Sequence, residues 1–202
     1  MRVSSLKERI ELLENDLKLN PPGFTMASDL PFAIFRYNPW LAEEGEWRMR
    51  REVQNLSVRV ENATGHKVHI LPLSTLFWRA IEESEGLDTL VELERERGFE
   101  AAQAQVNVYL SDPDWRPLPL LLAEATSKMD PRREIVFLTR CAIFAPNIYR
   151  VSSLLEQLMG KTKVPAVLFY PGSWRGSLNF MDLKSDEEPL GSYRVKIYGR
   201  ES

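Results

Sequence analysis

The sequence contains little cysteine and little histidine. Its 202 residues include one cysteine, Cys141, and two histidines. A disulfide within the chain is therefore impossible. His66 and His69 are three residues apart at a predicted strand, so their side chains are expected on opposite faces. A zinc site would therefore need carboxylates to complete it. The sequence predicts neither a metal ion nor a cofactor.

The chain also lacks a strong charge of either sign and any long apolar run. A formal net charge of -3 gives no overall basic field, so non-specific nucleic-acid binding would require a local patch. No apolar run approaches the roughly 20 residues that a membrane-spanning helix needs. The first residues lead into a charged helix and not a signal peptide. We therefore expect a cytoplasmic protein.

The familiar motifs of nucleotide-binding proteins and hydrolases are missing. Gly160-Lys161-Thr162 resembles the end of a phosphate loop, but Leu155 stands where that loop requires glycine, and the triplet follows a predicted helix instead of preceding one. Neither a Gly-x-Gly-x-x-Gly nor a Gly-x-Ser-x-Gly pattern occurs. No histidine has a spacing that promises a base for Cys141, which is predicted to be a small buried residue. We therefore expect the protein not to be an enzyme.

What the chain does contain is a strand, helix, strand pattern between residues 134 and 172. Two apolar runs, Glu134–Thr139 and Val164–Tyr170, flank the helical segment Tyr149–Met159. Runs rich in branched and aromatic residues, without alternation, suit strands that are buried on both faces. Parallel strands need a crossover of about this length. The pattern predicts the α/β class.

Further signals predict more strands and helices around the same sheet. Ser5 and Glu8 have the spacing of a capping box and begin an amphipathic helix. Gly65 ends a second helix that begins near Trp40, and Ser74 is the predicted cap of a third. We expect a mostly parallel sheet of about five strands flanked by helices. The other predicted strands are Pro31–Arg36, Lys67–Leu71 and an edge strand at Tyr193–Tyr198.

Residues 86–129 show helical spacing alone. Gly98 and the turn at residues 111–114 interrupt the pattern, which predicts three helices in an all-helical insertion between strands. A chain of 202 residues is long enough for one sizeable core. We therefore expect a single α/β domain over residues 1–202, with the insertion at about 86–129.

A binding site is expected at the carboxyl ends of the strands, because ligands of open α/β sheets bind in the crevice beyond these ends. Converging arginines there would recognise an anion or a partner's carboxylates. Alternatively, Arg140 and Arg150 would cap loop carbonyls or pair with acidic neighbours. Trp174 and Arg175 form a predicted loop tip that suits an interface, unless Trp174 closes over the sheet. The candidate binding residues are Arg36, Asn38, Arg140, Asn147, Arg150, Tyr170, Trp174 and Arg175.

Several blocks of the sequence resemble a known family. The blocks follow one another in matching order and at matching length over nearly the whole chain, and the later ones are the more specific. Together they resemble the BrxB family of BREX bacteriophage-defence systems. The blocks are Pro31–Pro39, Thr139–Pro146, Tyr149–Leu155, Val164–Gly172 and Tyr193–Ile197.

The resemblance implies a component of a BREX system, whose other members include a methyltransferase, a large ATPase and the phosphatase-superfamily protein PglZ. It suggests PglZ as the foremost partner and brings no catalytic motif to these residues. Our favoured prediction is an interaction or adaptor protein that docks through the Tyr170–Arg175 and Arg140–Arg150 loops. The alternative is a nucleotide- or nucleic-acid-binding protein that uses the strand-end crevice or a patch such as Arg48–Arg51.

Overall fold

The computed structural model describes residues 5–27, 30–146, 148–183 and 195–200. These residues form an α/β fold in which helices flank a mostly parallel sheet, and the predicted class is confirmed. The helices are α1 (Leu6–Leu17), α2 (Gly23–Ala27), α3 (Glu46–Thr64), α4 (Leu73–Glu82), α5 (Gly86–Arg97), α6 (Phe99–Ser111), α7 (Leu118–Thr126) and α8 (Val151–Gln157). The strands are β1 (Phe32–Tyr37), β2 (Lys67–Pro72), β3 (Glu134–Thr139), β4 (Ala166–Trp174), β5 (Leu178–Phe180) and β6 (Lys196–Tyr198).

The five main strands lie in the order β2-β3-β4-β1-β6. β4 is parallel to both β3 and β1, and β6 is parallel to β1. The predicted parallel pair on either side of α8 is therefore confirmed. β6 stands at the sheet edge, as expected for the C-terminal strand, although Tyr193 lies outside the described residues. β5 folds back antiparallel on the end of β4.

Contacts divide the chain into two compact units. The first unit comprises residues 1–71, 129–141 and 163–202, and the second comprises residues 72–128 and 142–162. The first unit therefore contains α1 to α3 and the six strands, except for Pro72, the last residue of β2. The second unit contains α4 to α8. The expectation of a single domain stays a prediction.

The core of the first unit forms where α1 and α3 bury their apolar faces against the sheet. The capping box of α1 is present, since the Ser5 hydroxyl accepts from the Glu8 backbone N–H and the Glu8 carboxylate accepts from the Ser5 N–H. Leu13 and Leu17 of α1 are fully buried in this cluster. Side chains of this size contribute about 1.5–3 kcal/mol each when they leave water. The first helix therefore docks on its own chain.

α3 begins later than the sequence predicted. Its first residue is Glu46, whereas the pattern had suggested a start near Trp40. Residues 38–45 form a turn-rich connection from β1 instead. The predicted end is confirmed, because Gly65 has a left-handed φ of 72° and its N–H donates to the Glu61 carbonyl.

The second unit is helical. α4 buries Leu73, Leu76 and Phe77 along one face, but it begins at Leu73 with Pro72 at its N-cap, so the predicted Ser74 cap is wrong. Residues 86–129 contain α5, α6 and α7, with breaks at Gly98 and at residues 112–117, as predicted. Across the described ranges, we found no helix with the length and apolarity needed to cross a membrane.

Candidate interaction surface

Arg36 is a buried residue at the carboxyl end of the sheet, where its side chain bonds to neighbouring backbone. It lies within β1 and only 4% of it is exposed. Its Nε donates to the Gly199 carbonyl oxygen at 2.8 Å, and its Nη1 lies 3.4 Å from the Gly172 carbonyl oxygen. The side chain therefore joins β1 to β4 and to the residue after β6. Arg36 thus lies within the strand, as predicted, but its side chain is buried, and its role in binding stays a prediction.

A second buried arginine, Arg9 of α1, braces the same end. Its Nη1 donates to the Arg36 carbonyl oxygen at 2.7 Å, and its Nη2 forms an ion pair with Glu44. The second oxygen of Glu44 accepts from the Asn38 backbone N–H at 2.7 Å. Arg9 is 1% exposed and its guanidinium carbon lies 5.8 Å from the centre of the Phe35 ring. Buried charges of this kind persist only when paired and hydrogen-bonded.

This brace holds a turn that leads to two exposed tryptophans. The Asn38 side-chain oxygen accepts from the Trp40 N–H at 3.1 Å, and the Trp40 indole N–H lies 3.4 Å from the Met181 carbonyl oxygen. Trp40 is 66% exposed and Trp47, in the first turn of α3, is 73% exposed. Neither tryptophan was predicted as a site residue: the helix predicted from near Trp40 includes Trp47 in the structure, but Trp40 lies in the turn before it. We call residues 40–47 the tryptophan segment.

A cleft of about 810 Å³ adjoins the tryptophan segment. It lies between α1 and α3, and Leu41 and Glu43 of the segment contribute to its wall. Five glutamates and three basic residues line it, so its charge is mixed with an acidic excess. The lining residues are Ser5, Leu6, Lys7, Ile10, Glu11, Glu14, Leu41, Glu43, Glu44, Arg48, Glu52 and Arg59.

Part of this acidic lining is already neutralised. Burial raises the pKa of Glu14, but hydrogen bonds from Lys18 and Arg59 outweigh that effect and leave the pKa below its ordinary value. The Nε of Arg59 lies 2.8 Å from Glu14. Arg50 belongs to the Arg48–Arg51 patch, and its Nε lies 3.1 Å from a carboxylate oxygen of Glu46. Intramolecular pairs thus occupy several of the basic groups that a phosphate would need.

The hairpin of β4 and β5 carries three of the predicted residues. Tyr170 lies inside β4, opposite Arg36 in the pairing with β1, and is 1% exposed. The predicted strand ended at Tyr170, whereas β4 continues to Trp174, and a role for Tyr170 in binding stays a prediction. Trp174 is the last residue of β4, and the Arg200 guanidinium carbon lies 5.2 Å from the centre of its ring. Arg175 is exposed at the turn, as predicted.

The remaining predicted residues fall in different parts of the chain. Arg140 is exposed directly after β3 and has a left-handed φ of 56°. Arg150 is exposed before α8, which belongs to the second unit. Asn147 lies outside the described residues. Arg36, Asn38 and Tyr170 share the carboxyl end of β1 and β4, while the idea that the Arg140–Arg150 and Tyr170–Arg175 loops form one docking face stays a prediction.

The cysteine and the histidines show little reactive chemistry. Cys141 is fully buried, and burial raises the pKa of its thiol far above the ordinary value. His69 Nε2 lies 2.8 Å from a carboxylate oxygen of Glu134. A hydrogen bond from the Asp130 N–H, followed by that from His69, lowers the pKa of Glu134. Within the ranges that the structure covers, no three side chains of the metal-binding types come together.

These features define an α/β protein with an exposed tryptophan segment beside an acidic cleft. The sequence profile described as "BREX protein BrxB" matches residues 69–196, and the chain belongs to the BrxB family. The predicted resemblance is thereby confirmed, and the protein is a component of a BREX defence system. The match leaves out the block at residues 31–39 and the tryptophan segment. No curated protein and no solved structure matches the chain.

Proposed function

We propose that the protein is a cytoplasmic, non-enzymatic adaptor within the BREX complex, with PglZ as its foremost partner. The observation that carries this proposal is the exposure of Trp40 and Trp47, at 66% and 73%. Tryptophan is among the residues most enriched where protein interfaces concentrate their binding energy. A partner that covers both rings removes a large apolar area from water, which favours association.

The structure beneath the tryptophan segment supports such a role. The pair of Arg9 and Glu44 fixes the Asn38 turn from below, and the indole N–H of Trp40 is anchored to the backbone at Met181. A segment held in one conformation loses little conformational freedom when it binds. Glu43 and Arg48, both exposed, give the apolar centre a charged border. This combination suits a protein partner better than a small ligand.

The test is co-expression of the chain with PglZ from the same gene cluster, followed by size exclusion with light scattering. We expect co-elution at a defined mass. Trp47→Ala should then weaken the affinity at least about tenfold, because the lost ring belongs to the centre of the interface. Leu12→Ala is the matched control, since Leu12 is 58% exposed in the same unit but lies outside the segment. It should leave the affinity unchanged.

Separate elution of the two proteins would reject PglZ as the partner. Equal affinities of Trp47→Ala and the parent would remove the segment from the interface. In the first case the alternative, a nucleotide- or nucleic-acid-binding protein, becomes the next hypothesis. Arg140 and Arg175 are then the residues to replace, because both are exposed near the ends of parallel strands.

A further inference from the structure

Helix α5 leaves apolar side chains partly exposed beside its buried face. Leu90 points inward and is 6% exposed, and α5 packs against α6 and α4. Next to Leu90 on the helix surface, Leu87 is 53% exposed and Val91 is 36% exposed. Their spacing of four residues puts them one turn apart on the same face. Phe99, at the start of α6, is 61% exposed as well.

The charge around this face is strongly negative. Residues 82–100 contain eight acidic and two basic residues, a net charge of -6, while the whole chain carries -3. The rest of the chain therefore carries +3. All eight carboxylates belong to exposed residues. Asp88 and Glu92 stand one position after Leu87 and Val91, so an acidic stripe runs beside the apolar one.

Most of this charge is left unneutralised by the chain itself. Glu83 is engaged by Arg79 and Arg116. In contrast, no ion pair among the described residues joins Asp88, Glu92 or Glu96 to a basic side chain. Arg95 and Arg97 lie in the last turn, where cations are favoured by the helix dipole. The stripe therefore remains available to positive charges from outside.

We propose that this α5 face, Leu87 and Val91 with Asp88 and Glu92, docks a BREX protein that presents apolar side chains bordered by lysine or arginine. Charge complementarity selects this occupant. A nucleic acid would bring phosphates against carboxylates, and a second copy would bring the same acidic stripe against itself. The proposal rests on the proposed adaptor function and adds a surface in the second unit, distinct in its residues from the tryptophan segment.

The test measures binding of the full chain to each of the other BREX proteins of its gene cluster, PglZ first, at low and at physiological salt. Glu92→Lys should weaken the affinity at least tenfold and reduce its salt dependence. Leu87→Ser should weaken it at both salt concentrations. Glu156→Lys is the control, because Glu156 is also an exposed glutamate of a second-unit helix and the substitution changes the net charge equally. We expect less than a twofold effect there.

The outcomes separate this proposal from the adaptor function. If the parent binds a BREX protein and both α5 variants bind it equally well, the α5 face is not the docking surface, although the adaptor function stands. If the parent binds none of them, both proposals fail. Light scattering on the free chain adds a third outcome. A dimer that Leu87→Ser converts to a monomer would show a second copy on this face and would overturn the proposed partner. Circular dichroism confirms that each variant is folded.

Discussion

Two groups of arginine and glutamate side chains in this protein share a chemistry and differ in burial. In the first unit, Arg9 and Glu44 pair at the end of β1 with side-chain exposures of 1% and 10%. In the second, Arg116 bridges Glu83 and Glu124 at 2.8 Å each, with exposures between 32% and 39%. The first group must hold its charges away from water, whereas water shares those of the second.

The difference teaches which arginines can serve a ligand. Arg36 was expected to recognise an anion, but its donors are directed at the carbonyls of Gly172 and Gly199 inside the sheet edge. An arginine in that position joins strands of the fold and leaves no exposed guanidinium for a ligand. Exposed arginines, such as Arg140 and Arg175, keep their donors accessible. Burial, more than position at a strand end, separates the two roles.

The largest expected effect comes from breaking the buried pair. Arg9→Met should destabilise the protein by about 3–5 kcal/mol, because it leaves the Glu44 carboxylate buried without its partner. It also removes the donor to the Arg36 carbonyl. Urea denaturation followed by circular dichroism measures the change. A loss below about 1 kcal/mol would show that water reaches Glu44 and that the brace is not required.

A double-mutant cycle separates the pair from its surroundings. Arg9→Met together with Glu44→Gln should be less destabilising than the sum of the two single changes, since no unpaired charge remains. The same cycle with Arg116→Met and Glu83→Gln is the exposed counterpart, and it should show little coupling. Equal coupling in the two cycles would remove the distinction between the groups.

The next effect concerns the backbone beside the two buried arginines. Gly199 has a φ of 95°, and a Cβ there would stand 3.1 Å from the Arg9 Nη1 and 3.2 Å from the Arg36 Nε. Gly199→Ala should destabilise by about 2–4 kcal/mol, through left-handed strain and through displacement of a fixed arginine. Gly176→Ala is the control. Its φ is 77° but nothing lies within 4 Å, so only the strain of about 1–2 kcal/mol remains. Equal losses of stability in the two variants would mean that the arginine side chains move away from the added methyl group at no cost.

Local patterns predicted much of the fold. The bounds of β3 agree with the apolar run Glu134–Thr139, and the capping box begins α1 as expected. These signals lie within a few residues of the structure they specify, and burial on both faces explains the unbroken apolar run. The order of the helices and the edge position of the last strand followed from the same kind of evidence.

Long-range contacts produced the errors. Arg9 lies three residues after Leu6 and four before Leu13, which is the helical spacing of the buried apolar residues of α1. Its ion-pair partner Glu44 is 35 residues away, so no local pattern indicated that Arg9 would be buried as a charged group. Pro171-Gly172 is typical of a turn, and the sequence therefore ended the strand at Tyr170. Pairing with β1 and β5 keeps that stretch extended. Which charged groups are buried depends on contacts between distant parts of the chain. The sequence alone therefore could not separate the buried arginines at the strand ends from the exposed ones.

Tyr109 provides an intermediate case between the buried and the exposed group. Tyr109 is fully buried, and its hydroxyl donates to the carboxylate of Glu85, which is an exposed residue. Burial, then the Glu85 hydrogen bond, raises the pKa of Tyr109 to about 12. Tyr109→Phe should cost about 0.5–1.5 kcal/mol, because water can satisfy the released carboxylate. Thermal unfolding measures this, and a loss as large as that of Arg9→Met would contradict the ordering by burial.

The smallest effect is expected from the exposed group, and pH reveals it. Hydrogen bonds from Arg79 and then Arg116 lower the pKa of Glu83 below its ordinary value. A carboxylate whose pKa is lowered on folding stabilises the protein fully above the unfolded value, and this contribution disappears as the pH falls through the folded value. Glu83→Gln should therefore lower the Tm by a few degrees at most at pH 7, and the difference should vanish in strong acid. High salt should also reduce it, because exposed pairs are screened. A difference that persists in acid would show that Glu83 acts through packing and not through its charge.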